Sequence, residues 1–329
     1  MDILTLSAVD RAVLTSACSA LEEIDVVAKT EEFVLEAQVQ SGRLSGDLRR
    51  SLLNFRRFGG PHGVLLLRGI PVGNLPPTPG RPEALVGPRG PGGAALSVIV
   101  ACLGEQFGFA EELGGSVLQD ILPVRGFEDQ QVSTSSAADL GIHTETSFSP
   151  HRPDYVGLLC LRPDHERQAI TTISSIDSIL PLLDTETIEV LREPRFRTEV
   201  DPSFLIAMGE AGAHVAEVTP ILDGPPCRSS IQVDFISTMG TDRRAQEALN
   251  TLGKHVVENQ HGVRLESGDV LILDNTRVVH GRSAFRARYD GADRWLLRTF
   301  VTRDLGRSGA VRPCDGRVIQ SDYETELSA

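Results

Sequence analysis

Residues 268–275 read GDVLILDN, a stretch in which a Gly-Asp turn leads into the apolar run 270–273. An apolar run this short, bounded by turn residues, is typical of a buried β-strand. Further strands are predicted at 64–67, 116–122, 154–161, 169–176, 230–235 and 295–302. Because these segments are short and irregularly connected, with neither a βαβ rhythm nor an internal repeat, the sequence favours a sandwich or a barrel.

Helical spacing of apolar residues is found in the remaining segments. From Ala8 to Leu53 it predicts two or three amphipathic helices packed outside the main sheet. Further helices are predicted at 94–107, 176–191 and 243–257. The Pro- and Gly-rich stretch from Pro71 to Gly93 is interpreted as a loop crossing one domain rather than as a linker between two. We therefore expect a single domain over residues 1–329, with a helical region at about 1–60 packed on its core.

Composition limits the classes of function. The chain has 329 residues, of which 40% are hydrophobic, and a formal net charge of −13. This acidic balance, without a basic stripe, argues against binding to nucleic acid or to an anionic membrane. No apolar run approaches the roughly 20 residues that span a bilayer, and the start Met1-Asp2-Ile3 differs from a secretory segment, so we expect a cytoplasmic protein. The 5 cysteines are widely spaced, which argues against a disulfide framework and a thiolate zinc site. The oligomeric state stays open.

Two histidines and a glutamate form a candidate metal site. On a β-strand the side chains of His143 and Glu145 share one face, while Thr144 points to the other. His280 follows the strand at 270–273 and is the candidate for a second imidazole. Two histidines and one carboxylate leave open positions on Fe(II). The same residues could hold zinc with a bound water, so a zinc hydrolase stays open as an alternative.

Two arginines are spaced for one face of a strand. Arg294 and Arg298 lie at positions i and i+4, with Leu296 between them on the same face of a strand. This spacing places the two arginines roughly 13 Å apart. A buried guanidinium needs an anion, and a carboxylate matches its planar donor pair best. The spacing therefore predicts two bound carboxylates. The alternative is that both arginines face solvent or pair with acids such as Asp269 and Asp274.

A polar segment precedes the candidate metal ligands. Residues 126–141 include the run QQVSTSS at 130–136, which has little apolar surface to bury. Small polar segments next to a site often act as lids. A lid at about 126–141 is one reading, and a plain surface loop is the other.

Three stretches together resemble a known family. They are GIHTETSFSP at 141–150, RPDYVGLL at 152–159, and the segment from Asp274 to Leu296 that contains DN, HGR and YDGADRWL. The chain resembles the clavaminate-synthase-like oxygenases, particularly the members that hydroxylate free arginine or asparagine at the β-carbon. The resemblance implies a mixed α/β, mainly β fold: a double-stranded β-helix (jelly roll) with flanking helices. It also implies Fe(II), 2-oxoglutarate and O2 as cofactor and co-substrates, and a small-molecule amino acid as substrate.

The resemblance assigns the metal and co-substrate contacts. His143, Glu145 and His280 match the iron ligands. Arg294 matches the residue that grips the distal carboxylate of 2-oxoglutarate, and Thr172 matches the hydroxyl that assists it.

The resemblance also assigns the substrate contacts. Arg298 matches the arginine that holds the α-carboxylate, and Glu112 falls where members place a Glu or Gln for the α-amino group. Asp234 matches an acid that contacts the terminal nitrogen of the substrate in both the arginine and the asparagine hydroxylases. Asp201 and Ser203 match further polar contacts of the arginine enzymes.

One departure limits the choice of substrate. The arginine enzymes carry a second acid two positions beyond the first, where this chain has Ile236. We expect hydroxylation at C3 of arginine or a related basic amino acid, in natural-product biosynthesis. Asparagine, or another amino acid that is modified or carrier-tethered, is the alternative.

Overall fold

The computed structural model describes residues 1–82, 90–201, 204–205 and 217–321. Its strands, in chain order, are β1 (Asp2–Thr5), β2 (Val64–Arg68), β3 (Glu105–Phe109), β4 (Gln119–Ile121), β5 (Leu140–His143), β6 (Tyr155–Arg162), β7 (Thr171–Ser175), β8 (Phe196–Thr198), β9 (Leu222–Asp223), β10 (Ser230–Ile231), β11 (Thr238–Gly240), β12 (His261–Val263), β13 (Val270–Asp274), β14 (Val278–Arg282), β15 (Trp295–Thr302) and β16 (Val318–Ile319). Its α-helices are α1 (Ala8–Cys18), α2 (Thr30–Ser41), α3 (Gly46–Phe58), α4 (Gly90–Val100), α5 (Ile176–Ile179), α6 (Thr185–Leu191) and α7 (Arg243–Glu258). Short 3-10 turns lie at Leu113–Gly115, Leu180–Leu182, Pro226–Arg228, Leu305–Val311 and Pro313–Asp315.

The main sheet is built from the most apolar strands. Its order is β1-β2-β13-β6-β15-β3-β16, with β4 also paired to β15. Every pair is antiparallel except β1 with β2 and β3 with β16. The central strand β13 is buried along its whole length because sheet and helices cover its two faces.

A second sheet faces the first and carries part of the site. Its order is β12-β7-β14-β5, and all its pairs are antiparallel. The apolar layer between the two sheets includes Leu66, Val156, Leu271, Leu296 and Phe300 from the main sheet, with Ile173, Val263 and Val278 from the second. Alternate residues on each strand supply this layer, as the period of two requires.

Helices cover the outer faces of both sheets. The main sheet and helices α1–α4 share a core that includes Leu14, Phe33, Leu52, Leu96, Leu67, Leu159 and Leu297. Helix α1 begins at a capping box between Ser7 and Asp10, and α3 ends at Gly59, whose φ of 73° suits a helix C-cap. Helices α5–α7 pack on the outside of the second sheet. Among the described helices, none has the length and apolar character that a membrane crossing requires.

Three predicted elements differ from the structure. The helix predicted at 94–107 ends at Val100, and its last residues belong to β3 because Phe107 pairs with Phe300 of β15. The helix predicted at 176–191 is interrupted near Pro181, and α6 starts anew from the cap Asp184. The strand predicted at 230–235 ends after β10, and only a single bridge follows, at Asp234.

The residue next to His280 tests the packing of the second sheet. A Cβ on Gly281 would lie 2.7 Å from Leu140 O, between the paired strands β14 and β5. We predict that Gly281→Ala lowers the free energy of unfolding by about 1–3 kcal/mol, because backbone atoms must move apart. Gly46→Ala is the matched control, since a Cβ there meets no atom within 4 Å. Equal stabilities of the two variants in urea titrations would contradict this packing.

Candidate active site

The three candidate metal ligands meet at the end of the second sheet. His143 on β5 pairs directly with His280 on β14, and their ring centroids lie 4.6 Å apart. Glu145 Oε2 lies 3.4 Å from His280 Nε2 and 4.0 Å from His143 Nε2. Thr144 turns to the neighbouring segment, where its Oγ1 accepts a hydrogen bond from Val233 N. The predicted convergence of the three residues is confirmed.

The donor set fits a divalent cation. His143 Nδ1 lies 2.8 Å from Gly141 O, so a proton on Nδ1 leaves the Nε2 lone pair directed at the triad. Burial opposes charge on Glu145, but the Arg298 charge and the neighbouring histidines outweigh it and hold the pKa of Glu145 well below its usual range. Burial lowers the pKa of His280. A carboxylate with neutral imidazoles is the protonation state that metal binding requires.

Arg298 is a buried junction between acids. Its Nη1 donates to Glu145 Oε1 at 2.6 Å, and its Nη2 donates to Glu112 Oε1 at 2.9 Å. Its Nε donates to Gln119 Oε1 at 2.7 Å, from the residue that faces it on β4. The sequence gives no signal for Gln119, because only the pairing of β4 with β15 places it beside Arg298. Glu112 is partly buried, and loss of solvent around it raises the pKa of its carboxyl despite Arg298.

Arg294 differs from Arg298 in having no acid at ion-pair distance within the described part of the chain, where Asp164 acts on it through a longer-range charge interaction. Its guanidinium is buried, and within the described residues it makes no hydrogen bond or ion pair with protein. Its guanidinium carbon lies 5.6 Å from the centre of the Phe285 ring, and the guanidinium of Arg282 lies over the same ring. A buried cation without a counter-ion, facing a cavity, is a binding site for an anion.

The alternative partners proposed for the two arginines lie elsewhere. Asp269 is 3.8 Å from Arg68, and Asp274 is 3.4 Å from Arg303. Neither arginine faces solvent or pairs with these two carboxylates, but Arg298 does pair with two other protein acids, Glu145 and Glu112, so the alternative holds in part for Arg298.

The threonine predicted to assist Arg294 is displaced by one residue. Thr171 lines the cavity, whereas Thr172 pairs with Gly281 and lies on the opposite face of β7. The two side chains must diverge because successive residues of a strand alternate between faces. Thr171 is the residue that the strand directs toward the metal site.

One cavity of about 850 Å³ joins these groups. Its lining includes the triad, Arg294, Arg298, Thr171, Glu112, Asp201 and Asp234. The carboxylate of Asp234 accepts a hydrogen bond from Ile236 N at 2.8 Å, and its backbone bridges to His143. Ser203 lies outside the described residues.

The segment predicted as a lid borders the cavity. Residues 130–134 line it, and Gln131 holds both ends of the following turn, at Asp139 O and Gly141 N. Arg282 donates to Ser135 O, which ties the segment to β14. Its closure over a ligand stays a prediction.

A family model and several proteins match the chain. Residues 60–300 match the model described as taurine catabolism dioxygenase TauD, TfdA family. L-asparagine oxygenase of Streptomyces coelicolor is 42% identical over 275 residues, which cover 83% of this chain and 80% of the relative. L-lysine 3-hydroxylase of Catenulispora acidiphila is 35% identical over 322 residues, covering 94% and 89%.

A solved structure has the same overall arrangement. It is that of asparagine oxygenase in complex with Fe(II), 2S,3S-3-hydroxyasparagine and succinate, with a TM-score of 0.91 and 36% identity over 98% of this chain and 100% of that one. These matches confirm the resemblance and the class of enzyme predicted from the sequence, and they leave the zinc hydrolase without support. The chain belongs to the TauD/TfdA dioxygenase family.

Proposed function

We propose that the protein hydroxylates a free amino acid with a basic side chain at C3, with Fe(II), 2-oxoglutarate and O2. One observation carries the proposal. A single cavity holds a His-Glu-His triad, a buried arginine that has no ion-pair partner among the described residues, and a second arginine bonded to two carboxylates.

The triad would bind the cofactor, and Arg294 would bind the co-substrate. His143, Glu145 and His280 would hold Fe(II), which, together with 2-oxoglutarate and O2, supplies the oxidising chemistry of the family. Arg294 supplies the charge for the distal carboxylate of 2-oxoglutarate. We assign the assisting hydroxyl to Thr171, because its side chain lies at the cavity.

Arg298 and Glu112 suit the two charged ends of an amino acid. Three of the five guanidinium N–H groups of Arg298 are engaged, which leaves one on each terminal nitrogen for a carboxylate. Glu112 supplies a carboxylate for the ammonium group. Because Arg298 also contacts Glu145, an amino acid held here lies beside the metal, with its β-carbon placed for reaction.

The acids around the rest of the cavity favour a cationic side chain. Asp201 is near enough to influence the pKa of both Glu112 and Arg298, and Asp234 lines the same cavity. The similarity to an L-lysine 3-hydroxylase supports this choice. Asparagine is the second candidate, favoured by the 42% identity to an L-asparagine oxygenase.

We also infer that the two facing sheets form a double-stranded β-helix whose open end is the cavity. The position of the triad at the end of the second sheet supports this. We infer further that the N-terminal helices belong to the same domain as the sheets, since α1 and α2 contact α4 on the main sheet.

A screen of amino acids tests the proposed reaction. With Fe(II), ascorbate and 2-oxoglutarate, we expect a basic amino acid to gain the mass of one oxygen atom while succinate forms in equal amount. Product from asparagine alone would refute the basic substrate. Succinate without any hydroxylated amino acid would refute free-substrate hydroxylation.

The adjacent threonines provide a matched pair. Thr171→Val should raise the KM for 2-oxoglutarate about 2- to 10-fold, the effect of one lost hydrogen bond. Thr172→Val should leave it unchanged, because Thr172 lies on the other face of β7. Steady-state kinetics with varied 2-oxoglutarate distinguish the two. The reverse pattern would restore the assignment to Thr172.

Arg294 should act on the co-substrate and not on the amino acid. Arg294→Ala removes a charge-assisted contact, so the KM for 2-oxoglutarate should rise at least about tenfold while the KM for the amino acid changes little. Arg68→Ala is the control, since this half-exposed arginine lies on β2 away from the cavity. A KM for 2-oxoglutarate that matches the control would remove Arg294 from the co-substrate site.

A further inference from the structure

A fully buried amide stands behind the metal site. Asn275 lies in the turn between β13 and β14, five residues before His280, and its relative exposure is 0%. It does not line the cavity and has no place in the proposed reaction. Its position matters because the following strand carries a metal ligand.

The side chain of Asn275 is bonded to the peptide backbone of Glu145. Glu145 N donates to Asn275 Oδ1 at 2.9 Å, and Asn275 Nδ2 donates to Glu145 O at 3.2 Å. The second proton of Nδ2 goes to Pro153 O at 2.9 Å, while Asn275 N donates to Asp154 O. Every N–H group of this amide therefore has a partner.

The backbone of Glu145 needs such a partner because the ladder has already ended. The last pair between β5 and β14 joins His143 to His280, and Glu145 lies two residues beyond it. The next residue, Thr146, has a φ of 48°, a left-handed conformation that is costly for a β-branched residue. The chain thus bends sharply at the metal ligand. Asn275 supplies the hydrogen bonds to Glu145 N and O that a neighbouring strand would otherwise make.

We propose that Asn275 is a positioning residue of the metal site, which fixes the backbone of Glu145 so that its carboxylate faces both histidines. The inference rests on the metal site of the proposed function. The turn between β13 and β14 would then help to position both Glu145 and His280. That turn is itself held by Asp274, which is fully buried and accepts hydrogen bonds from Thr276 N and Thr276 Oγ1.

Only an amide satisfies both backbone groups of Glu145. A carboxylate in Asn275→Asp could accept from Glu145 N, but it would face the carbonyl oxygens of Glu145 and Pro153 without a proton to donate. Asn275→Leu keeps the branching at Cγ, with a larger volume, and makes none of the side-chain bonds. Asn275→Ser shortens the side chain and relieves any crowding.

Cobalt binding to the metal-free protein tests the role without turnover. Co(II) titrations followed by absorption should show an affinity about 10- to 100-fold weaker in the Asn275 variants, the usual cost of losing a group that orients a metal ligand. The cobalt spectrum of the saturated variants should also shift, because the Glu145 carboxylate is no longer held. The titrations are made at urea concentrations well below the unfolding midpoint of each variant, so that only folded protein is compared.

Gln106→Leu is the matched control for lost stability. Gln106 is also a buried amide, bonded to Ser97 and Thr299, but it lies on β3 away from the cavity. We expect it to lose stability and to keep the wild-type cobalt affinity and spectrum. If Asn275→Leu does not fold, Asn275→Ser and Asn275→Asp carry the test.

Two results would overturn the inference. One is wild-type cobalt affinity and spectrum in a folded Asn275 variant, and the other is a wild-type protein whose cobalt binding is insensitive to His143→Ala. Weaker cobalt binding by the variants, together with a wild type that hydroxylates no amino acid, would refute the proposed function and support the role of Asn275.

Discussion

The ion pair between Glu145 and Arg298 is the contact on which the site depends. Both side chains are buried, and their closest atoms are 2.6 Å apart. The pair connects the segment that follows β5 of the second sheet, which carries Glu145, to β15 of the main sheet. It also keeps Glu145 ionised in a place where burial alone would favour the neutral acid. The charge of Arg298 is the largest of the contributions that oppose the effect of burial on the pKa of Glu145.

A gain in the free energy of unfolding does not explain why this buried ion pair is present. Removing two charges from water costs several kcal/mol, and an apolar pair of equal volume is often at least as stable. The same reasoning applies to Arg294, a buried cation with no protein counter-ion among the described residues. These charges are buried, where they cost the most, and this cost is consistent with charged ligands that complete the arrangement.

Much of the site could be predicted from the sequence because its residues obey local spacing. The short spacings of His143 with Glu145 and of Arg294 with Arg298 keep each pair at one cavity, although β5 ends at His143 and β15 begins just after Arg294. The features that could not be predicted depend on pairing between strands that are distant in the sequence. Thr171 and Thr172 are chemically identical, so only the register of β7 against β14 decides which one faces the cavity. Likewise, the helix predicted at 94–107 overlaps the first residues of β3, because the strand that pairs with β3, β15, lies nearly 200 residues further along the chain.

The three hydrogen bonds of Arg298 have a thermodynamic consequence. One side chain contacts both a metal ligand and the acid proposed for the substrate ammonium, so the two binding sites share it. A ligand that draws Arg298 away from Glu145 changes the field at the metal, and a cation on Glu145 changes the charge that Arg298 faces. Linkage then requires that each ligand alter the affinity of the other by the same factor. The order of binding affects the rates, but the free energy of the assembled complex is the same by either route.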